Sequence, residues 1–239
     1  MTTATFRFHE ELNDFLPPER RGKTFSASCS EAASVKHMIE ALGVPHTEVG
    51  RILVNGDPAD LNQPIADGDR IAIHPDHAGD DDTPRIVRFV ADSHLGALAK
   101  LLRMAGFDTL YRNDYADREI AEIAVNQNRI LLSRDRELLK FRKITHGCYV
   151  HAQRPAHQFR EIIDRLALGR SARPFTRCLE CNTRLREIDK SAVLDRLPAS
   201  VKMLKNRFWT CEACGRVFWE GTHWRRMNEL IDEVIRKPI

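Results

Sequence analysis

Two cysteine pairs carry the most specific chemistry in this 239-residue chain: Cys178-Leu-Glu-Cys181 and Cys211-Glu-Ala-Cys214, with 29 residues between them. A Cys-x-x-Cys spacing lets both thiolates of a pair approach one ion from a single tight turn. Four thiolates suit tetrahedral Zn²⁺ and leave no open position for catalysis, so a structural zinc ribbon is expected. Gly215 supplies the flexible residue needed just after the last thiolate. His223 could replace a thiolate, but four cysteines already close the shell. Cys29 and Cys148 stand alone and read as small apolar residues. A second constellation is acidic. Asp92 ends Arg-Phe-Val-Ala-Asp, Asp135 ends Ile-Leu-Leu-Ser-Arg-Asp, and Asp117 opens Asp-Arg-Glu-Ile-Ala-Glu-Ile with Asp114 and Glu119 nearby. Carboxylates gathered at strand ends hold Mg²⁺ or Mn²⁺, which keep waters for activation. Each of the three also stands where a helix N-cap is expected, a role Asp fills well.

Basic and aromatic side chains surround the ribbon. Arg170, Arg173, Arg177, Arg184 and Arg186 flank the first pair, Lys202 to Trp209 precede the second, and Phe218 to Arg226 follow it. Such residues neutralise phosphates and stack on unpaired bases. At least two of Phe208, Trp209, Phe218 and Trp219 are instead expected to fill the ribbon's small core. Arg103 lies on the face of its helix opposite the apolar stripe Leu95, Leu98, Leu101, Leu102 and Ala105, or at its edge, where it could contact phosphate.

The elements that must position these residues fall into three blocks. In residues 1–76, alternating Thr3–Phe8 and Gly22–Ala27 read as strands. Val35, Met38, Ile39 and Leu42 then mark an amphipathic helix closed by Gly43, and Arg51–Val54 and Arg70–His74 are further strands, with turns at Asn55-Gly56 and Asp67-Gly68. Two strands, a helix and two more strands describe a β-grasp, ubiquitin-like domain. Residues 77–84 form an acidic linker. In residues 85–169, short apolar runs (Ile86–Ala91, Thr109–Tyr111, Ile130–Leu132, Cys148–His151) alternate with helical patterns (Leu95–Ala105, Asp117–Asn126, Arg136–Phe141, Ala156–Leu168), which predicts an α/β domain with a parallel sheet. Residues 170–239 hold the ribbon and a C-terminal helix.

Charge divides along the same line. Residues 1–83 hold 7 basic and 15 acidic residues, a net of −8, whereas residues 84–239 hold 30 and 19, a net of +11. A basic region of that size suits a polyanion. No run of about 18 apolar residues occurs, which excludes a membrane helix, and the start MTTATFRFHEELNDF is no export signal, so a cytoplasmic protein with reduced thiols is expected.

Several blocks go beyond pattern. Phe89-Val-Ala-Asp-Ser-His-Leu-Gly-Ala-Leu-Ala-Lys-Leu-Leu-Arg-Met-Ala-Gly-Phe-Asp-Thr109, Arg129–Asp135, Arg177–Asn182 and Cys211–Trp224 resemble the Mut-seven carboxy-terminal RNase domain, a PIN-like nuclease family. Ile39–Val49 with Gly68-Asp-Arg70 resembles the ubiquitin-like domain often found ahead of it in bacteria. The resemblance implies a PIN-like domain with an attached zinc ribbon and metal-dependent hydrolysis of RNA, whether transfer, ribosomal or messenger. Its acidic cluster falls on Asp92, Asp117 and Asp135, with Asp114 and Glu119 competing for the middle place. PIN nucleases commonly use four acids, so one catalytic metal or two stays open. Ser133 stands where such domains often carry Ser or Thr beside the third acid, and Arg134, like Arg103, would position the RNA backbone. The first domain also resembles sulfur carriers, which act through a free Gly-Gly terminus. Here the chain runs on through Pro75–Gly79, so docking of a protein partner or a regulatory role is expected. Two rival readings remain: a non-catalytic RNA-binding adaptor associated with ribosomes or RNA processing, and an acidic first domain that screens the basic face.

Overall fold

The computed structural model describes residues 2–76 and 87–236; the expected linker and the start of the Ile86–Ala91 run lie outside the described residues. In chain order, the first half holds β1 (Thr2–Phe8), β2 (Thr24–Cys29), α1 (Val35–Ala41), β3 (Val49–Val54), β4 (Asp57–Ala59), β5 (Arg70–Pro75), β6 (Arg88–Ala91), α2 (Gly96–Met104) and β7 (Asp108–Tyr111). There follow α3 (Asp117–Asn126), β8 (Ile130–Ser133), α4 (Arg136–Leu139), β9 (Gly147–Tyr149), α5 (Pro155–Arg165), β10 (Arg186–Ile188), α6 (Ala199–Leu204), β11 (Phe208–Thr210), β12 (Val217–Phe218) and α7 (Thr222–Ile231). These elements form two compact units, residues 1–80 with 116–149 and residues 81–115 with 150–239. Among the described residues no helix is long and apolar enough to cross a membrane.

In the first unit, β1 to β5 make one sheet of order β2-β1-β5-β3-β4. Its centre is a parallel pair, β1 with β5, and its other neighbours are antiparallel. Alternation buries Ala4, Phe6 and Phe8 on one face of β1, where they meet Ile71 and Ile73 of β5 and Val35, Met38 and Ile39 of α1. Ser34 caps α1, its Oγ accepting from the His37 N–H at 3.2 Å. Asn55 and Gly56, at φ 55° and 99°, make the two-residue hairpin that the Asn-Gly pair encodes, and it adds β4 as a strand. This is the expected β-grasp arrangement.

The same unit holds the parallel pair β8 and β9, paired from Leu131 with Gly147 to Ser133 with Tyr149. The β-grasp domain is hydrogen-bonded to this segment. The buried Glu48 carboxylate accepts the Tyr149 N–H at 2.8 Å, and His46 lies between the Glu40 carboxylate and the Ile144 carbonyl, 2.7 Å from each. Arg136 donates to the Phe15 carbonyl at 3.0 Å while its guanidinium covers the Phe15 ring, which meets Tyr149 edge-on.

In the second unit β6 and β7 are parallel, Arg88 facing Asp108 and Ala91 facing Tyr111. Helix α2 between them ends in a Schellman motif: the Gly106 N–H donates to Arg103 and the Phe107 N–H to Leu102. Gly106 sits at φ 94°, and a Cβ there would lie 2.0 Å from the Arg173 carbonyl oxygen. Helices α1, α3 and α5 end on the same device, with Gly43, Asn128 and Ala167 in the left-handed position. The ribbon strands β10, β11 and β12 form an antiparallel sheet in that order. Replacing Gly106 by Ala combines left-handed strain with a backbone clash. Urea unfolding should register a loss of about 2 kcal/mol or more for Gly106→Ala, whereas Gly22→Ala, at positive φ with open space around it, should lose less.

Candidate functional site

The four predicted cysteines come together. Their sulfurs lie within 4.8 Å of one another, and none is in a disulfide. The Cys178 and Cys214 sulfurs are 3.8 Å apart, the edge of a tetrahedron whose Zn–S bonds are about 2.3 Å. Two matched turns build the set. In the first, the Cys178 N–H donates to Thr183 and the Asn182 N–H returns to Cys178; in the second, Cys211 donates to Arg216 and Gly215 returns to Cys211. The residue after each second cysteine is left-handed, Asn182 at φ 65° and Gly215 at φ 70°. One cysteine of each pair is buried and the other exposed. Without a metal the clustered sulfurs compete for protons: the Arg216 N–H holds the Cys214 thiol low, at a pKa of about 7, while the hydrogen bond to Cys214 pushes Cys181 up to about 12 and burial raises Cys178. Chemistry and spacing therefore fit one zinc ion.

The first turn is anchored to the α2–β7 corner by buried polar groups. Arg103, 4% exposed, donates from Nε to the Thr109 carbonyl at 2.9 Å and from Nη1 to the carbonyls of Leu179 and Glu180 at 2.9 and 2.8 Å. This corrects the expectation of a surface phosphate contact: α2 turns Arg103 inward, where the carbonyls between the two cysteines take its hydrogen atoms. Burial lowers its pKa from the ordinary value, and the facing Cys178 and Glu180 oppose that effect. Asn182, which sequence reasoning passed over, is the second anchor. Its Oδ1 accepts from the Thr109 N–H at 3.0 Å and its Nδ2 donates to Asp108 at 2.8 Å. The available signal was its position, equivalent to Gly215 in the other turn. Arg177 adds bonds to the Gly106 and Asn182 carbonyls, and Lys100 pairs with Glu180 at 2.8 Å.

The acidic residues occupy helix starts. Asp92, 8% exposed, directly follows β6 and caps the turn Ser93–Leu95, its Oδ1 accepting from the Ser93 N–H at 2.5 Å. Asp135 is exposed and caps α4, with Oδ1 accepting from the Glu137 and Leu138 N–H groups at 2.8 and 3.4 Å. The buried Ser133 hydroxyl accepts the Asp135 N–H at 2.8 Å, and Arg134 is half-buried beside it. Asp117 is exposed and is not a cap: Ala116 holds that position and Asp117 is the first helical residue, where its charge suits the helix dipole. Of its two competitors, Asp114 is engaged in a two-pronged ion pair with Arg112, at 2.8 and 2.9 Å, which lowers its pKa below the usual carboxylate value. The four cysteines are the group of metal-ligating atoms gathered within 4.8 Å among the described residues.

Exchanging Arg103 for Met removes three charge-assisted bonds while keeping the stem. The expected result is a loss of about 2–4 kcal/mol in chemical unfolding together with faster loss of zinc to a chelator, both measurable on the same protein. Cys211→Ser should abolish stoichiometric zinc retention outright.

Comparison with known proteins matches residues 87–231 to the Mut7-C RNAse domain and residues 1–80 to the Mut7-C ubiquitin domain. No curated protein matches the chain. Among solved structures, the H. volcanii small archaeal modifier protein 1 aligns at 20% identity over 31% of this chain and 98% of its own, with a TM-score of 0.26. A crystal structure of SAMP1 from Haloferax volcanii gives 21% identity, 32% and 98% coverage and the same score. The chain thus belongs to the Mut7-C RNAse domain family, with the family's ubiquitin-like domain ahead of the RNAse domain.

Proposed function

We propose that this protein is a cytoplasmic, metal-dependent ribonuclease that hydrolyses RNA phosphodiester bonds. The observation carrying the proposal is the family match over residues 87–231, within which Asp92 and Asp135 each stand at the carboxyl end of a parallel strand. Ligands of parallel α/β sheets bind beyond those ends. Asp92, Asp117 and Asp135 would hold Mg²⁺ or Mn²⁺, cations that favour carboxylate oxygen. A bound divalent ion supplies an activated water and neutralises charge developing on the phosphoryl and leaving oxygens. The chain's own part is to keep those carboxylates in place. Both cap bonds of Asp135 fall on one oxygen, so capping and ligation are compatible in a single side chain. Ser133 supports that geometry through the Asp135 N–H. Arg134 and the basic residues around the zinc site would hold the phosphate backbone, which supplies affinity and register with little sequence choice. The β-grasp domain would dock a protein partner.

The second reading, a non-catalytic RNA-binding adaptor, is favoured by one observation: capping alone gives Asp92 and Asp135 a structural reason to be there. Asparagine also caps well, so Asp→Asn separates the two roles. Cleavage of end-labelled RNA should require Mg²⁺ or Mn²⁺ and fall by about 100-fold or more in Asp92→Asn and in Asp135→Asn, with stability within about 1 kcal/mol of the wild type and RNA binding kept. Millimolar Mn²⁺ should raise the melting temperature of the wild type more than that of either variant. Absence of cleavage by all three proteins, with equal RNA binding, would establish the adaptor instead.

A further inference from the structure

The ribbon's core consists of Val193, Leu197 and Phe208, with Ile188, Val201, Val217 and Trp219 packed on it. Four more aromatic residues, Phe175, Trp209, Phe218 and Trp224, lie outside that cluster and are half-buried. With Trp219, Leu185 and Met227 they line a cavity of about 290 Å³ whose charged lining residues are one cation, Arg177, and one carboxylate, Glu220. A second groove of about 470 Å³ shares Phe218, Trp219, Trp224 and Met227, and Lys205 and Arg225 stand on its rim. The smaller cavity matches the lower end of small-ligand sites, roughly 300 Å³. One wall is held in a costly conformation. Phe175 has φ 60°, a left-handed position that a bulky residue rarely adopts, and there its ring packs at 5.2 Å against Trp224.

Core packing does not account for this arrangement. Trp209 carries the Arg207 guanidinium over its ring at 5.1 Å. Residues 170–239 hold 15 basic and 9 acidic residues, a net of +6, so the apolar cavity sits in a positively charged domain. An apolar peptide would need no such charge, and a bare phosphate would need no aromatic wall. A nucleotide needs both, because its base stacks on aromatic faces while its backbone follows the cations.

From this we infer that the aromatic cavity of the ribbon receives an unpaired RNA base, making the zinc domain a reader of single-stranded RNA. The inference deepens the nuclease proposal and rests on RNA being the ligand. It assigns the ribbon the choice of unpaired over duplex substrate, while the acidic residues perform the cleavage.

The test uses full-length, zinc-loaded protein without added Mg²⁺ or Mn²⁺ and a fluorescently labelled 12-nucleotide single-stranded RNA, read by anisotropy. The RNA is compared with versions made abasic at each position in turn and with a duplex of equal length. The wild type should lose about 10-fold in affinity when one internal base is removed, and should bind the duplex at least as weakly as that abasic strand. Trp224→Leu, which keeps apolar bulk, should bind the intact strand about 10-fold more weakly and lose nothing further at the same abasic position. Zinc content and melting check that the variant is folded, and the abasic series on the wild type requires no variant at all. Indifference of the wild type to every base removal, no RNA binding, or undiminished discrimination by folded Trp224→Leu overturns the inference. Cleavage of the same RNA with Mn²⁺ is scored separately. Base-dependent binding without cleavage upholds the cavity and removes the nuclease reading; cleavage without base dependence does the reverse.

Discussion

A buried cation, Arg103, ties the four-cysteine cluster to the α/β scaffold. Arg103 bonds to one carbonyl of β7 and to two carbonyls between Cys178 and Cys181. Those carbonyls belong to the turn that must present two sulfurs to one ion. A zinc turn on a free loop would have to be ordered by the metal alone, at the cost of its own chain entropy. Here Arg103, Asn182 and Arg177 fix the first turn against the end of α2 and the start of β7, so part of the site's order exists before the metal binds. The second turn, whose Gly215 takes the left-handed position that Asn182 takes in the first, then has a defined partner to meet. This explains how the cysteine turn of this chain is attached at the α2–β7 corner: the left-handed Gly106 opens the space where the Arg173 carbonyl passes, and that brings Arg177 and Cys178 onto the scaffold.

The β-grasp domain is also more than a tethered neighbour of the segment 116–149. Glu48 satisfies the Tyr149 N–H, His46 meets the Ile144 carbonyl, and Arg136 joins Phe15 and Tyr149. Buried polar groups of this kind are expensive to leave unmade. Removing residues 1–83 would therefore strip hydrogen bonds from the segment that carries Asp135, so loss of activity in such a truncation would not by itself argue against an acidic domain that screens the basic face. Charge-removing substitutions at exposed acids of the first domain, such as Glu31→Gln and Asp57→Asn, separate screening from folding.

Local rules carried most of the fold. Alternation located β1, short runs with their turn signals located β3 and β5, Gly43 marked the end of α1, and the cysteine spacing located the four-sulfur cluster. Strand β2 runs Thr24–Cys29, two residues beyond the expected Gly22–Ala27, because Gly22 lies in a left-handed turn before it. What escaped is non-local. Arg103 lies four residues after Ala99, on the buried stripe of α2, but its charge argued for solvent. Its partners lie 76 and 77 residues away in sequence, and only the folded chain brings those carbonyls within reach. Asn182 escaped for the same reason, because its value depends on Asp108 and Thr109. The short β4 escaped because three residues carry too little periodicity, although the Asn-Gly turn before it was visible. Of the ribbon aromatics, Phe208 and Trp219 serve the core as expected of at least two. The rest were legible as aromatic residues but not as the walls of a cavity.

The acidic residues show why capping and metal binding should not be weighed as rivals. A catalytic carboxylate must hold its position while charge moves beside it, and a flexible one would relax away from the geometry the reaction needs. Hydrogen bonds from the first turn of a helix to one oxygen fix the plane of the carboxylate and direct where the other oxygen lies. Asp135 has that support from Glu137 and Leu138, with Ser133 bracing its own backbone. Asp92 has it from Ser93 directly beyond β6. A strand that ends in a capped aspartate is thus the local structure that a rigid oxygen ligand requires, and the cap that first argues against a metal is part of what would make such a site work.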